Sequence, residues 1–310
     1  MVPVLNEAGT LEELSSRIQT VMDQIRIDDF EIIFIDDGSK DDTWETIDSL
    51  VKNDPGHIKA VRFRRNLGKS AALSVGFQMA QGNIVFSMDG DLQDNPEEIP
   101  AFLEMLDQGY DLVSGWKKDR KDPLIKVISS RFFNFITSTF SGLKLHDFNC
   151  GFKAYRRKTL RHLQLYGELH RYIPVMIHNM GYKVGEIPVL HTPRRSGKSK
   201  YGMERYVRGF LDFLTVVTLT NFNQRPGHLF GGLGFYIGVV GVGILIYLAI
   251  LWFLGGRPIG NRPLFFVGIL ATVMSVQFIS FGLLAEMQLR NTRREEEHQF
   301  IEERIGFKDQ

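Results

Sequence analysis

The stretch Phe86-Ser87-Met88-Asp89-Gly90-Asp91-Leu92-Gln93-Asp94 decides how this chain reads. It follows an apolar run, Asn83-Ile84-Val85-Phe86, bounded by Gly82 and Gly90, which reads as a buried strand giving way to a loop. Two carboxylates one residue apart at that point can face a single hard cation, and such a cation is the usual means of holding a diphosphate. Asp-Gly-Asp after a strand is also ordinary turn chemistry. The motif by itself leaves both readings open.

Moving toward the N-terminus, the same strand-then-polar-loop pattern repeats three times. Ile58 to Phe63 is a strand followed by Arg64-Arg65-Asn66-Leu67-Gly68-Lys69-Ser70 and a small-residue helix, Ala71 to Ala80. Phe30 to Ile35 is a strand closing on Asp36-Asp37-Gly38-Ser39-Lys40-Asp41-Asp42-Thr43, with a helix from Trp44 to Val51. Met1-Val2-Pro3-Val4-Leu5-Asn6-Glu7 reads as the end of a strand; strands usually run about five or six residues, so an upstream segment is expected. The helix after it, Leu11 to Ile25, carries Leu11, Leu14, Ile18, Val21, Met22 and Ile25 on one face, with Thr10 as N-cap and Glu13 as its capping-box partner.

Strands alternating with helices predict a parallel sheet with helices on both faces, and ligands in such sheets bind at the carboxyl ends of the strands. Asn6-Glu7, Asp36-Asp37, Arg65-Asn66 and Asp89-Asp91 all fall there. Asp36-Asp37-Gly38-Ser39 reads either as a turn with a helix cap or as a carboxylate pair for a ribose hydroxyl or base edge. Two common nucleotide signatures are excluded. Gly68-Lys69-Ser70 lacks the first glycine of a P-loop, since position 63 is Phe, and no Gly-x-Gly-x-x-Gly follows the first strand.

The 310 residues carry 37 basic and 36 acidic side chains, so overall charge gives no support to a nucleic-acid partner. One cysteine, Cys150, excludes an internal disulfide and reads as a small packing residue. The eight histidines show no metal-ligand spacing and read as structural.

Beyond about Gln224 the composition changes. Leu229 to Leu254 and Leu264 to Ala285 carry no charge, and each is long enough to cross a hydrocarbon core of about 30 Å as a helix. Gly255 to Pro263 turns between them, giving a hairpin with both ends on one side. Arg205, Arg208 and Arg225 before it, and Arg290, Arg293 and Arg294 after it, outweigh Arg257 and Arg262 in the turn, which places the N-terminal domain and C-terminus in the cytoplasm. The absence of a signal peptide ahead of the soluble part agrees. The expected plan is a catalytic domain over 1–200, a juxtamembrane interfacial helix over 201–228, the hairpin over 229–289 and a charged cytosolic tail over 290–310.

Pro3-Val4-Leu5-Asn6-Glu7, Asp36-Asp37-Gly38-Ser39-x-Asp41-x-Thr43, Arg65-Asn66-x-Gly68-Lys69 and Asp89-x-Asp91-x-Gln93-Asp94-x-Pro96-Glu97 occur in this order. Together they resemble the family 2 glycosyltransferases of the GT-A fold, an α/β Rossmann-like architecture, in the branch of dolichol-phosphate mannose synthase and the bacterial polyprenyl-phosphate glycosyltransferases. The resemblance implies that Pro3, Asn6, Glu7, Asp36, Asp37, Asn66, Lys69, Asp89, Arg195 and Lys198 bind a nucleotide sugar. It implies that Asp89, Asp91 and Gln93 hold Mg2+ or Mn2+, with Asp91 and Asp147 catalytic. Lys117, Ser130 and Arg131 would meet the lipid phosphate.

Other segments fit that frame. Lys117 to Asp122 is a charge run, either a solvated loop or an anion contact. Ile125 to Phe140 and Met203 to Phe222 have the amphipathic pattern of interfacial helices. Asp147, in His146-Asp147-Phe148-Asn149-Cys150-Gly151-Phe152-Lys153, is expected to orient the acceptor. A monoalkyl phosphate has a second pKa of about 6 and barely needs a base at neutral pH. Arg194 to Tyr201 resembles the family's loop over the diphosphate.

The expected activity is inverting transfer of one sugar, glucose from UDP-glucose first, to a polyprenyl or dolichyl phosphate at the cytosolic face of a membrane, a bacterial inner membrane by preference, with homo-oligomerisation. The alternatives are a GDP-mannose-dependent mannosyltransferase, a processive synthase, for which two spans offer too little material for a pore, and a nucleotide-sugar-binding scaffold without turnover.

Overall fold

The computed structural model describes residues 1–118, 130, 133–135, 137–139, 141–161, 163, 165–190, 226–255, 258, 260 and 262–296. Contacts divide the chain into two units, Met1–Val216 and Val217–Gln310. In the first unit the elements run β1 (Val2–Val4), α1 (Leu11–Gln24), β2 (Ile32–Asp36), α2 (Thr43–Asn53), β3 (Ile58–Arg62), α3 (Lys69–Met79), β4 (Ile84–Ser87), α4 (Ile99–Asp107), β5 (Leu112–Lys117), β6 (Lys153–Arg156), α5 (Ile173–Asn179) and β7 (Val184–Val189).

β1, β2 and β3 form a parallel sheet in that order, with Val2 beside Phe34 and Ile32 beside Ile58. The other four strands lie in the order β4-β6-β5-β7. Here the pairing is mixed: β6 runs antiparallel to both β4 and β5, and β5 runs parallel to β7. Met1 links the two sheets, its amino group donating to Phe86 O at 2.9 Å and its carbonyl accepting from Met88 N at 3.2 Å.

The wholly apolar strands follow from burial on two sides. Every residue of β2 is buried. Ile32 and Phe34 join a core with Leu14 and Val21 of α1, Ile47 of α2 and Phe102 of α4. Ile33 and Ile35 join a second core with Leu73 and Phe77 of α3 and Val175 and Ile177 of α5. The strand's period of two thus sorts side chains to opposite faces, and helices cover both, as the sequence predicts.

α1 buries the predicted stripe Leu11, Leu14, Ile18, Val21 and Met22. The expected capping box is corrected. Thr10 sits at the N-cap position without capping the helix; its hydroxyl donates to Glu7 O at 2.9 Å and to Gly90 O at 2.6 Å. Thr10 therefore ties the start of α1 to the Asp-Gly-Asp loop. Arg17 of α1 adds a second tie, with Nε donating to Glu97 Oε1 at 2.9 Å and a terminal nitrogen to Asn95 Oδ1 at 3.2 Å.

The second unit contains α6 (Pro226–Phe253) and α7 (Pro263–Glu296). Phe230–Phe253 and Pro263–Ala285 are each long and apolar enough to cross a membrane. The two helices approach closely at glycines: a Cβ on Gly238 would lie 2.5 Å from Ser275 Oγ, and one on Gly241 would lie 2.9 Å from Thr272 N. Small residues that let backbones meet in this way are characteristic of helix pairs in lipid. Of the predicted interfacial helix over 201–228, residues 201–225 lie outside the described residues and 226–228 begin α6; most of the tail also lies outside them.

Candidate active site

Four strand ends build one cluster. Asn6 turns the chain after β1 with a positive φ of 57°; its N–H donates to Ser39 Oγ, and its Oδ1 accepts from Lys40 N, both at 2.9 Å. Glu7 N donates to Thr43 Oγ1 at 2.9 Å. Pro3 lies in β1 beside Ile35 of β2. The loop after β1 is thus pinned to the Asp36–Thr43 loop after β2. That loop in turn meets the one after β3: a Cβ on Gly38, whose φ is +72°, would sit 2.7 Å from the Arg65 carbonyl carbon. Only glycine fits both that backbone angle and that approach.

Asp36 and Asp37 are buried. Asp36 Oδ1 accepts from Ser39 N at 2.8 Å, and Arg62 Nε lies 3.3 Å from its Oδ2. Asp37 Oδ1 accepts from Leu67 N at 2.6 Å, and its Oδ2 from Gly68 N at 2.9 Å. Burial nevertheless raises the Asp37 pKa, against the opposing backbone N–H groups. The pair fixes the backbone of the loops after β2 and β3, next to the exposed Asn66.

Asp89 and Asp91 lie on the Asp-Gly-Asp turn that follows β4. Asp89 Oδ1 accepts from Lys69 Nζ, the first side chain of α3. Burial works against the Asp89 charge, but Lys69, Lys117 and Lys153 outweigh it and hold its pKa down to about 2. Asp91 goes the other way: burial, and then the neighbouring Asp89 charge, raise its pKa. Its Oδ1 accepts from Gln93 N at 3.2 Å, across Leu92, which has a φ of 60°. Next along, the buried Asp94 pairs with Lys117 Nζ at 2.8 Å, and Lys117 is only 12% exposed. The start of the charge run is therefore built into the site rather than solvated.

The segment His146 to Lys153 packs against this centre. A Cβ on Gly151 would lie 2.5 Å from Asp89 Oδ2, so the backbone at Gly151 abuts the carboxylate. Ser87 Oγ, which also contacts Tyr155 OH at 3.2 Å, donates to Gly151 O at 2.8 Å and holds it there. Asp147 is buried and its Oδ1 accepts from Asn149 N at 3.0 Å. Burial pushes the Cys150 thiol up to about 12, in keeping with a packing role.

Three contributors escaped the sequence reading. Lys153 is 3% exposed, donates from Nζ to Cys150 O, and lies in the field of both Asp147 and Asp89. Burial lowers its pKa, against those carboxylates. Gly151 carries no side chain to suggest its place. His170, read as structural, accepts Ser70 Oγ at Nδ1 at 3.0 Å and donates its own N–H to that oxygen at 3.2 Å. Burial and the nearby Lys69 push its pKa well down, so the ring is neutral at pH 7. A lysine bracketed by Phe152 and Ala154-Tyr155 was the available signal for Lys153: a cation inside an apolar run is costly unless carboxylates surround it.

Asp89, Asp91 and Gln93 offer two carboxylates and an amide oxygen, a hard donor set that suits Mg2+ or Mn2+. Among the described residues, no three acidic, histidine or cysteine side chains already converge on one point. Ser130 is helical and half-buried. Arg131, Arg195 and Lys198 lie outside the described residues.

Comparison with known proteins places this geometry. Residues 1–164 match the family described as Glycosyl transferase family 2. The chain is 37% identical over 300 residues to a dodecaprenyl-phosphate galacturonate synthase of Rhizobium johnstonii, covering 96% of this chain and 88% of that one. It is 31% identical to an undecaprenyl-phosphate 4-deoxy-4-formamido-L-arabinose transferase of Aeromonas hydrophila, covering 92% and 86%. In fold it is similar to glucosyl-3-phosphoglycerate synthase from Mycobacterium tuberculosis in complex with Mn2+ and UDP-glucose, with a TM-score of 0.53, 21% identity, and coverage of 71% of this chain and 77% of that one. The α/β domain has the GT-A fold, and the chain belongs to glycosyl transferase family 2.

Proposed function

We propose that this chain is a membrane-anchored glycosyltransferase that moves one sugar from a nucleotide sugar, a UDP-sugar by preference, to a polyprenyl phosphate. The observation that carries the reading is the Asp89–Asp91 turn, set at a strand end among three lysines and backed by the Asp147–Lys153 segment. Similarity over 96% of the chain to a protein named for a polyprenyl-phosphate product supports the lipid acceptor. The proposed plan keeps the catalytic domain over 1–200, interfacial helix over 201–228, hairpin over 229–289 and tail over 290–310. The arginines flanking the hairpin support an active site on the cytoplasmic face, and a bacterial inner membrane is the membrane proposed.

Asp89, Asp91 and Gln93 would hold Mg2+ or Mn2+, which neutralises charge on the donor diphosphate when bound. Lys69, Arg195 and Lys198 would meet the same diphosphate, stabilising it as a leaving group. Asn6, Glu7, Asp36 and Asp37 with Pro3 and Asn66 would frame the nucleoside. Arg131, Ser130 and Lys117 would bind the lipid phosphate and Asp147 would orient it. An oxygen of that phosphate attacks the anomeric carbon as the bond to the diphosphate breaks on the opposite face, so one displacement inverts the anomer. Alignment supplies most of the rate.

Glucose is the first sugar proposed; a second reading, galacturonate, is favoured by the Rhizobium relative's name. The test offers purified protein, undecaprenyl phosphate and Mn2+ with labelled UDP-glucose, UDP-galacturonate, UDP-N-acetylglucosamine and GDP-mannose in parallel. Label entering the organic phase from one UDP-sugar and abolished by EDTA is the expected result. Label from GDP-mannose alone would replace UDP by GDP. No transfer from any donor, with UDP still bound, would favour a binding scaffold.

A further inference from the structure

Lys69 stands where a donor-bound cation would have to compete. Its Nζ contacts Asp89 Oδ1, and the two side chains are 31% and 32% exposed. The other cations of the cluster are engaged elsewhere: Lys117 pairs with Asp94, and Lys153 donates to Cys150 O. The Gly151 backbone also packs against the Asp89 carboxylate. A divalent ion approaching Asp89 alone therefore meets a carboxylate whose charge is already paired, and it would be repelled by the ammonium beside it.

The surroundings allow Lys69 to leave without disturbing the fold. It is the first residue of α3, and a Cβ on the preceding Gly68 would meet nothing within 4 Å. The next residue, Ser70, is buried and fastened by its two hydrogen bonds with His170. The helix start is thus anchored while the lysine's flexible four-carbon stem is free to swing. A diphosphate arriving with its cation offers the ammonium a stronger partner than one carboxylate.

We propose that Lys69 is an exchange residue: it neutralises Asp89 in the resting enzyme and passes to the donor diphosphate when cation and nucleotide bind together. This rests on the donor-site reading above and adds an order to it. Cation binding is weak without nucleotide and strong with it, and Lys69 is responsible for part of the difference.

The experiment measures free Mn2+ by electron paramagnetic resonance during titration of the full chain in detergent, with and without UDP. Wild type is compared with Lys69→Met, Lys69→Gln and Lys69→Arg, each checked for its melting temperature. Without UDP, Lys69→Met and Lys69→Gln are expected to bind Mn2+ about two- to five-fold tighter than wild type, the scale of a partly exposed ion pair. Lys69→Arg, which keeps the charge, is expected to stay close to wild type. With UDP present the order reverses, and Lys69→Met binds Mn2+ more weakly than wild type. Unchanged or weaker Mn2+ binding by both neutral variants without UDP would overturn the exchange role. No Mn2+ binding by wild type even with UDP would overturn the donor-site reading and this inference with it.

Discussion

The molecule carries two acidic pairs at neighbouring strand ends, and they are held in opposite ways. Asp36 and Asp37, at the end of β2, accept chiefly from backbone N–H groups of Ser39, Leu67 and Gly68. Asp89, after β4, sits among lysine side chains with Lys69 in direct contact, while its neighbour Asp91 accepts from Gln93 N. Backbone donors cannot leave without unfolding a loop, whereas an ammonium on a flexible stem can. In the proposed site the first pair would frame the nucleoside, and Asp89 of the second would be the carboxylate that exchanges partners with a ligand. Two similar sequences, Asp-Asp-Gly-Ser and Asp-Gly-Asp, acquire different roles from what donates to them.

The contrast sets the order of the expected effects. Asp89→Asn should lower transfer by about a thousand-fold, the scale of losing a main electrostatic contact to a leaving group, with a smaller loss of melting temperature at neutral pH than Asp37→Ala. Equal loss of rate and stability would put Asp89 with the structural pair. Gly151→Ala pushes a methyl into Asp89 Oδ2, and a displacement of that size should cost about a hundred-fold in rate, read as kcat in the label-transfer assay. Asp37→Ala should act mainly on stability, by about 1–3 kcal/mol for the N–H groups left without an acceptor, in thermal or urea unfolding. A rate loss larger than that of Asp89→Asn would erase the distinction between the pairs.

The smallest effect is a pH dependence. The Asp89 pKa is lowered from the ordinary 3.8 to about 2 by its lysines, burial opposing. A depressed carboxylate stabilises the fold fully above its unfolded pKa and loses that contribution as pH falls through the folded one. Wild type and Asp89→Asn should therefore differ in melting temperature above pH 3.8 and converge as pH falls toward 2. A difference that widens on acidification would contradict the pairing.

The sequence made some of this legible for physical reasons. β2 is an apolar run because both its faces are buried, and turn residues mark the carboxyl ends of β1 to β4, so the parallel β1-β2-β3 sheet and the four loops could be read directly. β6 could not: Lys153-Ala154-Tyr155-Arg156 is four residues with charged ends, and its antiparallel place between β4 and β5 is set by tertiary pairing rather than by any local pattern. Lys153 and Gly151 were missed with it. Thr10 has the identity of an N-cap, yet Glu7 O and Gly90 O take its hydroxyl. The two apolar helices were the plainest feature, since α6 and α7 are set by a chain length and polarity that no small core requires.

The most direct test is a structure of the full chain in detergent with Mn2+ and UDP, the ion located by its anomalous signal. The account predicts Mn2+ at about 2.0–2.6 Å from carboxylate oxygens of Asp89 and Asp91, with the diphosphate beside it and Lys69 moved from Asp89 onto a phosphate oxygen. Mn2+ and UDP bound at Asp36 and Asp37, with the Lys69–Asp89 pair intact, would contradict it.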